Sequence, residues 1–144
     1  MNPNYNQTIT IYNCLRAKDN PNSKKDIWYR MVIRDCFYKN AIGRTENLST
    51  DPRMSNTYTV RIPESVHYKP YAEWVRLPDA ERGKYFTCSL KDVVVKGECT
   101  EGISGTSPNT ASEVLSRYKP DAFLVTAFSD NTSHQMAKHY RLGG

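Results

Sequence analysis

Asp26-Ile27-Trp28-Tyr29-Arg30-Met31-Val32-Ile33-Arg34-Asp35-Cys36-Phe37-Tyr38 is the longest stretch of β-branched and aromatic residues in this chain of 144. Successive strand residues point to opposite faces, so period two sorts it into two sets. Ile27, Tyr29, Met31, Ile33 and Phe37 fall on one face, and Trp28, Arg30, Val32, Arg34 and Cys36 on the other. Only the first face is apolar enough for a core. Arg30 and Arg34 mark the second as facing solvent or a partner.

Shorter runs of the same kind lie on either side. Thr8-Ile9-Thr10-Ile11-Tyr12-Asn13 precedes the long strand, and Asp19-Asn20-Pro21-Asn22 is a strong turn signal, so the two are expected to form a hairpin. Further strands are expected at 57–62, 85–88, 93–96, 122–129 and 135–142, the last two as a hairpin. Pro63 stops the third, and Gly97 loosens the chain after the fifth. In the connector between them, Pro70 suits the start of a short helix. Tyr71 and Trp74 then share a helical face that plugs an open end of the barrel. A second helical turn at 77–83 would close at Gly83. Thr110-Ala111-Ser112-Glu113 reads as a capping box opening a helix that ends before Pro120, with Val114, Leu115 and Tyr118 on its buried side.

The fold class that follows is mainly β: a small antiparallel β-barrel or sandwich with one or two short helices. Residues 8–144 form one domain behind an Asn-rich arm, 1–7. A barrel has one inside, which sets a single expected core: Ile9, Ile11, Tyr29, Met31, Ile33, Val60, Ile62, Val93, Val95, Phe123 and Val125, centred on Ile33. The arm and residues 45–56 lack period and bulk. Neither can offset its own ordering entropy, so both are expected to be flexible when free and ordered on assembly. A domain of this size buries roughly 70% of its unfolded surface and needs neither disulfide nor metal.

Composition excludes several functions. The net charge of +5 is scattered, and no block reaches five basic residues, whereas nucleic-acid binders cluster their charge. It is read as a solubility feature with a bias towards acidic partners. The rival reading is a nucleic-acid-binding barrel with bases stacked on Trp28 and Tyr29. The cysteines Cys14, Cys36, Cys88 and Cys99 show no C-x-x-C spacing, and His67, His134 and His139 lie apart from them. No metal or cofactor is therefore expected. An apolar leader and a run of about 20 apolar residues are both lacking. The chain is expected in a reducing cytoplasm, away from membranes, with free thiols serving as small hydrophobes. No nucleophile, zinc or phosphate-loop motif occurs. Gly102-Ile103-Ser104-Gly105 reads as plain loop, and Asp92 and Glu98 as solvated strand ends. An enzyme is not expected.

The order of the segments resembles a family of small proteins from the structural modules of tailed phages infecting Gram-positive bacteria. The shared features begin with Thr8–Asn13 and continue with Trp28-Tyr29-Arg30 leading into Val32-Ile33, then Val60-Arg61-Ile62-Pro63. Next come Tyr68-Lys69-Pro70 with Trp74, and Asp92-Val93-Val94-Val95-Lys96-Gly97-Glu98. Ser112, Leu115 and Tyr118 precede Val125-Thr126-Ala127-Phe128-Ser129-Asp130, and Ser133-His134 with His139-Tyr140 closes the set. The resemblance implies a virion structural protein, a head–tail connector or head-completion (neck) component. It would form a ring with copies of itself between portal or adaptor and tail, with transient contact with packaged DNA. A minor capsid or tail-associated protein is the alternative. The resemblance carries no catalytic residues. Candidate interface positions are Tyr5 in the arm, Arg30 and Arg34 on the outward face, Arg44 beside the 45–56 loop and Arg53 within it.

Overall fold

The long strand is indeed the longest, and it serves two halves of one sheet. The computed structural model describes residues 5–21, 24–45, 53–133 and 138–144, with the side chains of 42–45 and 53–56 excepted. Its strands are β1 (Gln7–Leu15), β2 (Ile27–Thr45), β3 (Arg53–Pro63), β4 (Val93–Lys96), β5 (Ala122–Leu124), β6 (Ala127–Asp130) and β7 (His139–Gly143). They form one seven-stranded sheet in the order β5-β4-β1-β2-β3-β7-β6. Every pairing is antiparallel.

β2 pairs with β1 up to Cys36 and with β3 from Phe37 onward. At the changeover Gln7 faces Cys36 while Ile9 faces Ile33, so β2 carries one extra residue. Asp35 absorbs it in the left-handed region at φ 60°, a conformation that Asp tolerates better than most residues. A bulge inverts the alternation beyond it. Cys36, expected outside, is fully buried in the core, and Tyr38 packs against the same cluster. Phe37, expected inside, turns outward under the Arg61 guanidinium, 5.2 Å from its ring.

The sheet curls into a half-barrel. Residues 122–129, expected as one strand, are split between its two edges: β5 pairs with β4, and β6 with β7. The two residues between them bond to opposite ends of the sheet. Val125 N–H donates to Asp92 O and Thr126 N–H to Gly143 O, both at 2.8 Å. The expected terminal hairpin is present as β6 and β7; its second strand starts at His139, and residues 134–137 lie outside the described residues.

There are two cores instead of one. The concave side holds Ile9, Ile11, Cys36, Val60, Ile62, Val94, Phe123, Val125 and Leu142, with Met31 and Ile33 only partly buried against them. The second lies on the convex side of β1 and β4, under helix α3 (Ala111–Tyr118). It contains Tyr12, Val93, Val95, Cys99, Ile103, Val114 and Ala122. Val93 and Val95 therefore point away from the core assigned to them, and Val94 takes their place. α3 begins as read: Thr110 Oγ1 accepts from Glu113 N–H at 3.3 Å and donates to the Glu113 carboxylate at 2.9 Å. The thiols of Cys14, Cys36, Cys88 and Cys99 are free and buried, and burial pushes Cys14 and Cys36 up to about 12.

The connector contains α1 (Tyr71–Trp74) and α2 (Asp79–Arg82), so the α-helices among the described residues number three, where one or two were expected. A 3-10 turn, Ala17–Asp19, lies between β1 and β2. Trp74 is fully buried and meets Tyr29 edge-on at 5.3 Å. Arg82, also buried, donates to Trp74 O, Val75 O and Leu77 O, to the Tyr29 hydroxyl and to the Asp79 carboxylate. It thus satisfies the carbonyls that α1 leaves open at its end. Gly83 stays right-handed at φ −70°. Residues 85–88 are not a strand: only Phe86 bridges, to Tyr68, although Phe86, Thr87 and Cys88 are buried. Thr45 and 53–56 belong to β2 and β3, not to a loop; 46–52, like 1–4 of the arm, lie outside the described residues. Among the described residues no helix is long and apolar enough to cross a membrane.

Ile11, fully buried, replaces Ile33 as the most costly truncation. Ile11→Ala should lose about 2–5 kcal/mol, and Ile33→Ala clearly less, in urea unfolding. Asp35→Val should lose about 1–2 kcal/mol by the same measurement, because a β-branched residue resists the left-handed bulge.

Candidate functional site

Two anchors hold β4 against β1, and they are the residues that flank it, Asp92 and Gly97. Asp92 is completely buried, which corrects its reading as a solvated strand end. Its carboxylate accepts from Asn13 Nδ2 at 2.9 Å, Cys14 N–H at 3.1 Å, Ser89 N–H at 3.0 Å and Ser89 Oγ at 3.1 Å. Asn13 in turn bonds both the carbonyl and the amide of Thr87. Burial pushes Asp92 up to about 6, against the pull of the donors. At the other end Gly97 adopts φ +84°, which its lack of a Cβ permits. Its carbonyl accepts from Thr10 Oγ1, which itself accepts from Cys99 N–H, both at 2.8 Å. These groups are saturated by one another and serve the fold.

The outward side of β2 and β3 is different. Arg30 is exposed and its Nε donates to Cys99 O. Arg34 pairs with Glu98 at 3.2 Å, with both side chains more than half exposed. The Tyr5 ring lies 6.3 Å from Phe37, which also carries Arg61. Arg61 stands directly across from Arg141 of β7, a like-charge pair that costs stability by itself. Arg61 Nε is buried with no hydrogen-bond partner among the described residues. Arg61 and Arg141 escape a sequence reading because their adjacency exists only once β3 and β7 pair. Their sole signal is an arginine between Val60 and Ile62.

The remaining candidates lie elsewhere. Arg44 faces Met54 and Arg53 faces Thr45, on adjacent rungs at the far end of the β2–β3 pair. From Arg30 to Arg44 the strand extends about 45 Å at the usual rise, less the bulge. The structure thus brings Tyr5 beside Phe37 and sets Arg44 and Arg53 on successive rungs without pairing them, and it does not gather the five candidates into one patch. β1 begins at Gln7, facing Cys36, and β7 ends at Gly143, facing Thr59, with Gly144 still bonded to Tyr58. Residues 41–45 and 53–57 are consequently a two-stranded ribbon of about 15 Å, with no third strand among the described residues.

The chain belongs to the family of unknown function DUF6751, which matches residues 4–144. No curated protein and no solved structure matches it.

The Asp92 node sets a pH signature. Its folded value, about 6, lies above the unfolded carboxyl value of about 3.9, so folding favours the protonated form. Its contribution is present in full below about pH 4 and is lost as the pH rises through about 6, a change of about 3 kcal/mol. Asp92→Asn, with an amide facing donors, should be less stable than the parent by about 1–3 kcal/mol at pH 4. The gap should narrow towards pH 7 in urea titrations. Arg34→Ala should change stability by less than about 0.5 kcal/mol in the same assay, since its ion pair is exposed.

Proposed function

We propose that this member of the DUF6751 family is a virion structural protein of a tailed phage, a head–tail connector or head-completion component that forms a ring between portal and tail. The ordered motifs that resemble such proteins span nearly the whole chain. The observation that carries the reading furthest is the β2–β3 ribbon, residues 41–45 with 53–57. A two-stranded ribbon is marginal in water, and each of its outer edges exposes unpaired backbone donors and acceptors. The two edges face opposite ways. Pairing one with the other edge of the next copy is a head-to-tail contact, and a head-to-tail contact that closes is a ring. The outward Arg34, Arg61 and Arg141 add a cationic surface suited to an acidic neighbour such as a portal or tail protein.

The alternative of a nucleic-acid barrel with Trp28 and Tyr29 stacking together is disfavoured by geometry. Trp28 packs towards the convex core, while Tyr29 is held between Trp74 and Arg82 at the other side of the strand.

The test is co-expression with the portal protein of the same module, followed by class averages of the purified complex. The expected result is a monomer or weak oligomer alone and a ring on the portal. Replacing residues 42–56 with a two-residue turn should leave the melting curve close to that of the parent and abolish the ring. Purified virions that lack this chain by mass spectrometry would end the proposal.

A further inference from the structure

Two clefts share Trp28 as a lining residue. One, of about 600 Å3, runs between the β1–β2 connection, Ser104-Gly105 and the first turn of α3. The other, of about 360 Å3, runs along the 3-10 turn to Lys91. Trp28 and Asp26 belong to both. Lys24 and Lys25 line the first, and Arg16, Lys18 and Lys91 line the second. Five cations therefore flank one half-buried aromatic ring. The apolar wall is continued by Ile27, which is unusually exposed for its type. None of these residues belongs to the ribbon, and of the outward β2 face only Trp28 takes part.

We infer that this double cleft is a binding site for a single strand of nucleic acid, with a base against Trp28 and phosphates on the lysines to either side. Single-strand sites combine a cationic groove that tracks the backbone with an aromatic ring on which a base stacks, and both are here. A duplex keeps its bases stacked inside, out of reach of a ring set between cleft walls, so the unpaired strand fits better. Each cleft falls within the usual size of a small-ligand site. Several lining groups have fixed partners. Arg16 Nη2 donates to Leu90 O at 3.0 Å and its guanidinium lies over Tyr71, so it is held in place. Asp26 accepts from Ala17 N–H at 2.8 Å, and Asp19 from the Tyr71 hydroxyl at 2.7 Å. Asp26 is the one acid lining both clefts, and it opposes an anionic ligand. The inference stands apart from the ring reading, since a monomer carries the whole site.

The test uses the full chain and a fluorescein-labelled twelve-residue oligothymidylate, read by anisotropy across a salt series from about 50 to 200 mM. Saturable binding is expected, with quenching of the protein's tryptophan emission. Trp28→Leu should weaken it about tenfold or more, and Trp28→Phe should restore part of the loss. The double variants Lys24→Gln with Lys25→Gln, and Lys18→Gln with Lys91→Gln, should each lower the slope of log affinity on log salt by about 1.4. Asp26→Asn should tighten binding. Far-UV spectra establish that each variant is folded; if Trp28→Leu is not, the quenching and the exposed lysine pairs decide. Three results would each overturn the inference: no saturable binding, unchanged tryptophan emission at saturation, or competition by polyglutamate as strong as by the unlabelled oligonucleotide. The last would assign the clefts to an acidic peptide.

Discussion

A strand of nineteen residues cannot present one face to a closed core along its whole length and also change partners midway without a correction. The extra residue at Asp35 supplies it. Before it, β2 leans on β1 and offers Met31 and Ile33 to the concave core; after it, β2 leans on β3 and offers Cys36 and Tyr38. Without the bulge, Cys36 and Tyr38 would face solvent and Phe37 would meet the core, displacing the Val60 and Phe123 contacts. The added local twist that bulges bring also helps the sheet to curl. The concave core, the outward arginines and the free ribbon all inherit their facing from this one residue.

Around that frame, buried polar groups do the work of turns. Asp92 gathers donors from β1 and from the chain before β4, and so fixes a segment, 86–89, that forms no strand of its own. Arg82 does the equivalent for the connector, collecting carbonyls at the end of a helix too short to hold itself. Both are charges whose partners surround them, which is the condition under which burial of a charge is tolerable. Both lie at places where the chain changes direction with little regular structure. Irregular backbone there is held by side-chain hydrogen bonds in place of ladder bonds.

Period two in residues 8–13, 26–34 and 57–62 made β1, the first half of β2 and β3 legible, and Thr110 with Glu113 marked the start of α3. These signals are local, and local geometry answers to them. The rest depends on distant pairing. Val125 and Thr126 carry no turn signal, because the break there comes from the need to cross between sheet edges. Val93 and Val95 alternate correctly, but which face is inside depended on a second layer, α3, that alternation cannot reveal. Of the candidate interface residues, the outward placement of Arg30 and Arg34 was readable from the strand. The successive rungs of Arg44 and Arg53 and the opposition of Arg61 to Arg141 are matters of register alone.

The crossing at Val125-Thr126 bears on how the molecule is made. β1, β2, β3 and β4 are complete by residue 96, yet the segment that covers both edges of their sheet is 122–143. A nascent chain must therefore carry an open sheet, with two unsatisfied edges and part of its concave core missing, until residues 122–143 have been made. Phe123, Val125, Tyr140 and Leu142 all arrive in that last stretch. Productive folding thus waits for residues 122–143, and the high share of contacts between distant parts of the sequence makes it slow relative to helical domains of equal size. The scattered positive charge then has a role before any fold exists: it keeps exposed edges of neighbouring unfinished chains apart.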